Sequence, residues 1–123
     1  MRHEVTDADT AAAMGSGDLP VLGTPRLIAW MEAATVLAAA GLLNPGQTTV
    51  GTAIRIEHRR PTAVGCSVGI TATPPRDAGS RPLTFEVLAV DSSGQVVAAG
   101  QIDRVIVERN RFLQAASQPA AAH

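Results

Sequence analysis

The longest apolar run of the chain lies at residues 27–43, LIAWMEAATVLAAAGLL, and a single carboxylate, Glu32, interrupts it. Thr24 and Pro25 mark its start, because threonine caps free backbone N–H groups and proline tolerates the first helical position. Gly41 and the NPG turn after it end the pattern. The run predicts a long helix that must be covered on most of its sides.

After this helix, apolar and polar residues alternate from Val50 onward, which is typical of strands. The alternation predicts that His58 shares the apolar face of the first strand, that Gly51 lies on the opposite face, and that Pro61 ends the strand. Further strands are predicted by similar patterns and their flanking turns at 1–6, 64–73, 83–90 and 96–107. This order is an α+β arrangement, in which one curved antiparallel sheet, helped by a second subunit, wraps a long central helix as in the hot-dog fold.

The length of 123 residues suits one domain, which we expect to span 1–114, followed by a disordered tail at 115–123. The net charge of −1 gives no reason to expect nucleic acid as a partner. No apolar stretch is long enough to cross a membrane without interruption, so we expect no membrane partner. The polar, acidic start MRHEVTDADT lacks the features of a secretory signal and predicts a cytoplasmic location.

Composition also bears on the core and on assembly. A single cysteine, Cys66, excludes an internal disulfide and supplies no metal-ligand cluster, and we expect it to be a small core residue. With one Trp, two Phe and no Tyr, the core must consist of Ala, Val, Leu and Ile. A small domain with few large side chains gains stability by pairing with a second copy, so we expect a homodimer.

Glu32 needs a partner, because an ionised carboxylate is costly to bury alone. It is the one charged residue between Arg26 and Arg55, so the partner must come from elsewhere in the fold. His58, on the apolar face of the next strand, is a candidate, since a carboxylate orients an imidazole and makes it a better base. The helix N-terminus at Thr24 can stabilise an oxygen that becomes negative when a carbonyl is attacked. Acyl transfer to water would use all three parts.

Each of these residues also has a purely structural interpretation. Thr24 could serve only as a helix cap, His58 as a core histidine and Glu32 as a member of an ion pair. Gly51 would fit a β-bulge or a close approach to a ligand. Arg104 could pair with Glu32, pair with a nearby aspartate, or be solvated.

The segment 21–65 resembles the fluoroacetyl-CoA thioesterase-like family of hot-dog proteins. The family's catalytic set is a Thr, a Glu eight residues later and a His twenty-six residues after the Glu, which matches Thr24, Glu32 and His58. A family glycine seven residues before the His, which positions the thioester, corresponds to Gly51. The stretch GQIDRVIV extends the resemblance to Arg104. The resemblance implies a homodimer that needs no cofactor beyond the CoA of its substrate.

One departure from the family concerns the segment before the helix. The fluoroacetyl-specific member carries a phenylalanine lid there, whereas this chain has GSGDLPVLG, so discrimination for fluoroacetate is not implied. We expect an aliphatic substrate pocket made by Leu19, Val21, Leu22 and Trp30. Arg59 and Arg60 are either weak candidates for binding CoA phosphates or solvated side chains.

The leading hypothesis is hydrolysis of a small or medium acyl thioester, carried by CoA or by an acyl carrier protein. His58 would act as general base or acid, Glu32 would orient it or attack the carbonyl, and Thr24 would assist by a hydrogen bond. Two alternatives are a hot-dog enoyl-thioester hydratase or dehydratase and a non-catalytic dimeric binder of an acyl or other small ligand.

Overall fold

The structure is a computed structural model that describes residues 1–118. Within these residues the chain forms five strands, one long and two short α-helices, and two 3-10 helices of three residues each, Asp7–Asp9 and Ala40–Leu42. The elements in chain order are β1 (Arg2–Glu4), α1 (Ala11–Met14), α2 (Thr24–Ala39), β2 (Gln47–His58), β3 (Ser67–Thr73), β4 (Leu83–Asp91), β5 (Val96–Glu108) and α3 (Arg109–Ala116).

All five strands form one antiparallel sheet with the order β1-β3-β4-β5-β2. Strand β2, twelve residues long, is therefore an edge strand that pairs only with β5 in the described part of the chain. Its free edge offers a row of backbone N–H and C=O groups to another strand. The four main strands lie where the sequence predicts them, and each boundary is within three residues of its predicted position.

Helix α2 packs against the sheet through one face. Leu27, Met31, Thr35 and Ala39 recur every four residues and are all buried. The opposite face is apolar as well, yet it is exposed in the single chain, with Leu37 61% exposed. In the single chain the sheet covers only one face of the helix, and the prediction that most sides are covered depends on a second subunit and stays a prediction.

A β-bulge in β2 changes which side chains face the helix. The pairing register of β2 with β5 shifts between Gly51 and Ala53. A bulge adds one residue to one strand, so the alternation of faces reverses beyond it. Gly51 consequently lies on the helix side next to Glu32, and His58 lies on the same side next to the helix start. The prediction that Gly51 points away from the helix is wrong for this reason.

The chain after β5 also differs from the prediction. Helix α3 extends to Ala116, so residues 115 and 116 are helical rather than a disordered tail, and 119–123 lie outside the described residues. The Glu108 carboxylate caps this helix by accepting a hydrogen bond from the Arg111 backbone N–H at 2.6 Å.

The exposure of Cys66 and the character of the helices bear on two further predictions. Cys66 lies in the turn before β3 and is exposed, so its prediction as a core residue is wrong. Among the helices of residues 1–118, none combines the length and the apolar character that crossing a bilayer requires.

Candidate active site

Thr24 is the first residue of α2, and its hydroxyl is not used to cap the helix. Gly23 occupies the cap position in extended conformation and makes no side-chain cap bond. Because Pro25 follows, one of the free N–H groups of the first turn is already missing. The interpretation of Thr24 as a simple N-cap is therefore wrong, and its hydroxyl is available for another contact.

That contact is His58. Thr24 Oγ1 lies 2.8 Å from Nδ1 of His58, across 34 residues of sequence. His58 is the last residue of β2, and the backbone N–H of Arg59 donates to the carbonyl of Val97 at 2.7 Å directly after it. The end of β2 is thereby fixed to β5, and the imidazole is aimed at the start of the helix.

The other imidazole nitrogen of His58 has no partner. Nε2 is buried and makes no hydrogen bond within residues 1–118. Desolvation lowers the pKa of His58 from its ordinary value of 6.5, and a backbone interaction with Arg60 opposes this effect. A largely neutral imidazole with a hydroxyl on one nitrogen is suited to accept a proton near neutral pH.

Beside this pair lies a cleft of about 330 Å³. Leu19 and Leu22, both predicted to contact the substrate, line it together with Thr24 and His58. The sequence analysis missed the Asp18 side chain, which has no helical or strand pattern around it. The remaining lining residues are Ala11, Ser16, Gly17, Val21, Arg59, Arg60 and Pro61.

The loop wall of this cleft is held by backbone hydrogen bonds. Ala11 N–H donates to the Val21 carbonyl and Leu22 N–H to the Thr62 carbonyl, each at 2.8 Å. Gly23 N–H donates to the Asp9 carbonyl at 2.9 Å. The segment before α2 therefore has a defined position, although its sequence carries no periodic pattern.

Trp30 does not line the cleft. Its ring stacks on His3 of β1, with centroids 4.4 Å apart and planes at 3°. It packs against the main hydrophobic cluster, where it joins the N-terminal strand to α2. The prediction of Trp30 as a pocket residue is wrong, because the sequence pattern of a helix that is apolar all round does not indicate which side each residue occupies.

Glu32 lies eight residues beyond Thr24, or about 12 Å along the helix axis. Its Oε2 is 3.6 Å from Nη1 of Arg104, and a Cβ placed on Gly51 would lie 3.0 Å from the same oxygen. Arg104 therefore pairs with Glu32, which was one of its predicted alternatives. The other predicted partner, Asp103, instead accepts two hydrogen bonds from Arg55, at 2.8 and 2.9 Å. The three residues Glu32, Gly51 and Arg104 thus form a second group.

Arg104 is the fixed member of this second group. Its side chain is 8% exposed, against 37% for Glu32. Its Nε donates to Thr49 Oγ1 at 2.8 Å and Nη2 to the Thr49 carbonyl at 3.1 Å. Thr49 was missed by sequence reasoning, although its place two residues before Gly51 is a signal that it shares the same face.

Within one chain the predicted catalytic residues therefore form two groups. Thr24 and His58 meet at one end of the α2–β2 pair, and Glu32 lies with Gly51 and Arg104 at the other. No hydrogen bond joins Glu32 to His58 in residues 1–118. In the same residues, no three His, Cys, Asp or Glu side chains come close enough to hold a metal ion.

The sequence of the chain matches a known family. The model of the family FlK, fluoroacetyl-CoA-specific thioesterase, matches residues 5–110. A fluoroacetyl-CoA thioesterase from Streptantibioticus cattleyicolor is 33% identical over 92 residues, which is 75% of this chain and 65% of that relative. The match therefore spans slightly less than two thirds of the length of the relative.

Solved structures confirm the hot-dog fold. A mutant of the fluoroacetyl-CoA-specific thioesterase FlK in complex with fluoroacetate and CoA has a TM-score of 0.84 at 26% identity, with 94% of each chain covered. A hot-dog-like protein from Thermanaerovibrio acidaminovorans has a TM-score of 0.85 at 22% identity, with 100% of this chain and 90% of that chain covered, and this likeness concerns the fold alone. Together with the family match over most of its length, these findings identify the chain as a member of the fluoroacetyl-CoA-specific thioesterase family.

Proposed function

We propose that the protein hydrolyses a small or medium acyl-CoA thioester. The observation that carries this proposal is the 2.8 Å contact between Thr24 and His58 at the edge of the cleft. It combines a hydroxyl, a base of lowered pKa and an opening for a substrate, which are the parts that acyl transfer to water needs. The named activities of the family and of its relatives support the same reaction class.

His58 moves the proton in this reaction. In the tautomer whose Nδ1 accepts a hydrogen bond, the imidazole takes a proton from the attacking oxygen, which belongs to Thr24 or to water. The carbonyl oxygen becomes negative beside the N-terminus of α2, whose positive dipole end stabilises it. When the C–S bond breaks, the imidazolium returns the proton to the leaving sulfur. If water attacks, the acid and a thiol are the products. If Thr24 attacks, the thiol leaves an ester on Thr24, and water activated by His58 then breaks its acyl C–O bond, which gives the acid and restores the Thr24 hydroxyl.

A second copy of the chain would complete this site. With Nδ1 used by Thr24, the buried Nε2–H of His58 needs an acceptor, and the Glu32 carboxylate makes no hydrogen bond in residues 1–118. Two chains related by a two-fold axis can bring Glu32 of one copy to His58 of the other. The carboxylate would then orient the imidazole and stabilise its charged form.

The surface of the single chain supports such a homodimer. The free edge of β2 can pair with the same strand of a second copy, so that the two sheets become continuous. The exposed apolar face of α2, which includes Ala29, Ala33, Val36 and Leu37, would be covered by the same contact. The homodimer thus explains both the exposed apolar face and the divided catalytic set.

Gly51 and Arg104 would shape the end of the site that carries Glu32. The absence of a side chain at Gly51 leaves room beside the carboxylate, and a substrate thioester could approach the backbone there. Arg104, held by Thr49, fixes the position of the Glu32 oxygen by charge.

We assign no preference for fluoroacetyl groups, since the cleft contains no aromatic side chain of Phe, Tyr or Trp among its described lining residues. The cytoplasmic location stays a prediction.

The test is release of free thiol from a panel of acyl-CoAs of two to eight carbons. We expect turnover by the wild type and a loss of roughly 10²- to 10⁴-fold in kcat for His58→Ala, the range that a general base supplies. Leu113→Ala, on exposed α3, is the matched control and should keep wild-type activity. Thiol release equal to that of His58→Ala for every substrate would contradict the proposal. Hydration of an enoyl-CoA without thiol release would instead favour a hydratase, and saturable binding without turnover a non-catalytic binder.

A further inference from the structure

Two arginines directly follow His58 and line the same cleft. Arg59 and Arg60 are the cations among the described lining residues, and Asp18 is the one carboxylate. The charged part of the cleft therefore has an excess of positive charge next to the reacting pair. The Thr24–His58 pair does not use this charge.

In the described part of the chain, each guanidinium has one carboxylate within 4.0 Å but makes no hydrogen bond to it. The shortest contact of Arg59 is 3.6 Å to Glu57 and that of Arg60 is 4.0 Å to Asp91, and neither side chain donates a hydrogen bond within residues 1–118. The two side chains are 52% and 53% exposed. Since a guanidinium has five N–H donors, most donors of both side chains are available to a ligand.

The backbone that carries the two arginines is fixed. The N–H groups of Arg59 and Arg60 both donate to the carbonyl of Val97, at 2.7 and 3.2 Å, and Pro61 restricts the chain after them. A ligand would therefore order only the side chains, which lowers the entropy cost of binding. An anion between the two cations would also relieve their mutual repulsion.

We propose that Arg59 and Arg60 form an anion-binding subsite of the cleft and bind a negatively charged oxygen group of the substrate. Paired guanidinium groups match carboxylates and phosphates because their donors lie in a planar fork. The proposal rests on the proposed function for its substrate. Such a thioester can carry a negatively charged oxygen group in two places. One is the phosphates of CoA, and the other is a carboxylate at the far end of the acyl group.

The first experiment measures binding without turnover. Calorimetric titrations compare CoA with pantetheine, which lacks the phosphates, and glutarate with butyrate, which lacks the second carboxylate. For the wild type we expect tighter binding of the more anionic member of at least one pair. The double variant Arg59→Gln/Arg60→Gln should weaken that member by roughly five- to tenfold, the effect of two half-exposed charge pairs. Arg109→Gln, on exposed α3, is the control and should bind as the wild type does.

The second experiment identifies the source by hydrolysis. A loss of kcat/KM in the double variant for butyryl-CoA but not for butyryl-pantetheine would assign the CoA phosphates. A loss for glutaryl-CoA that exceeds the loss for butyryl-CoA would assign an acyl carboxylate. An equal loss for all three, butyryl-pantetheine included, would mean damage to His58 and would overturn the proposal.

The binding result separates this proposal from the proposed function. If no thioester is hydrolysed but the arginine-dependent preference for the anionic probes persists, the subsite stands and the thioesterase proposal fails. If hydrolysis occurs but the wild type binds CoA no better than pantetheine and glutarate no better than butyrate, the subsite proposal is overturned.

Discussion

The two ends of the α2–β2 pair differ in what they can do chemically. At Thr24 and His58, two uncharged polar groups meet at 2.8 Å beside an open cleft, in a geometry suited to proton transfer. At Glu32 and Arg104, two charges lie 3.6 Å apart, and the buried arginine is held by Thr49. The first end lacks a carboxylate for its second imidazole nitrogen, and the second end has a carboxylate but no imidazole or hydroxyl hydrogen-bonded to it. Each end supplies what the other lacks.

Among the variants that distinguish the two ends, loss of the Thr24 hydroxyl at the first end should reduce activity most. Thr24→Val keeps the shape of the side chain but removes the group that contacts His58, so kcat should fall by about 10²-fold, as for the loss of one hydrogen-bonding group at a reacting centre. Thr24→Ser restores a hydroxyl and should stay within about tenfold of the wild type. Steady-state thiol release measures both, and equal activities of the Val and Ser variants would contradict a role for the hydroxyl.

Gly51→Ala tests the second end without touching the first. The added Cβ would lie 3.0 Å from Glu32 Oε2 and 3.4 Å from Arg104 Nη1, so the carboxylate must shift. Because a flexible side chain gives way, we expect unfolding free energy to change by less than about 0.5 kcal/mol, while kcat/KM falls about tenfold. Chemical denaturation and thiol release give the two values. Retained activity would show that the position of Glu32 is not critical.

Thr49→Val should affect stability more than chemistry. It removes the oxygen that accepts a hydrogen bond from the buried Nε of Arg104, and an unsatisfied buried donor costs about 1–3 kcal/mol. We expect the unfolding free energy to fall by that amount. A matched change of an exposed threonine, Thr71→Val, should have little effect. A Thr49 variant as stable as the wild type would mean that Arg104 finds another acceptor.

The smallest predicted effect concerns pH. Burial lowers the pKa of His58, whereas a carboxylate from a second copy would raise it, so Glu32→Gln should lower the pKa of His58 relative to the wild type if the proposed dimer forms. With a folded pKa below 6.5, the contribution of His58 to stability in this variant is complete above pH 6.5 and declines as pH falls toward the folded pKa. NMR titration of the ring protons measures the shift, with His3 as internal control. An unchanged pKa would mean that Glu32 and His58 do not meet.

Periodicity in the sequence was sufficient to predict the helix and the four main strands of an antiparallel sheet, because burial of one face imposes regular spacing on each element. It did not predict the strand order, in which β2 lies at the edge beside β5. It could not predict the bulge after Gly51. A glycine in a strand is compatible with a regular ladder, a bulge or a ligand contact, and only the pairing with β5 decides among them. The consequence for the site is large, since the bulge brings Gly51 to the side of Glu32.

Contacts between elements that are distant in the sequence could not be predicted either. Thr24, Glu32 and His58 were selected from the pattern of the residues, and a family resemblance supported the choice. Their spacing along the helix already separates Thr24 from Glu32 by about 12 Å, but it could not show that His58 lies with Thr24. Trp30 could not be assigned to a side of an all-apolar helix, and its stacking on His3 depends on how β1 packs. The partner of Arg104 was left open among alternatives for the same reason.

We propose that the catalytic set is shared between two copies, and the activity of mixed dimers tests this sharing. His58→Ala and Glu32→Gln are each purified, shown to lack activity, then unfolded together and refolded. If each site takes His58 from one copy and Glu32 from the other, half of the dimers are mixed and each contains one intact site, so activity should recover to about a quarter of the wild-type value. If the mixture stays as inactive as the separate variants, the site is not shared and the account is wrong.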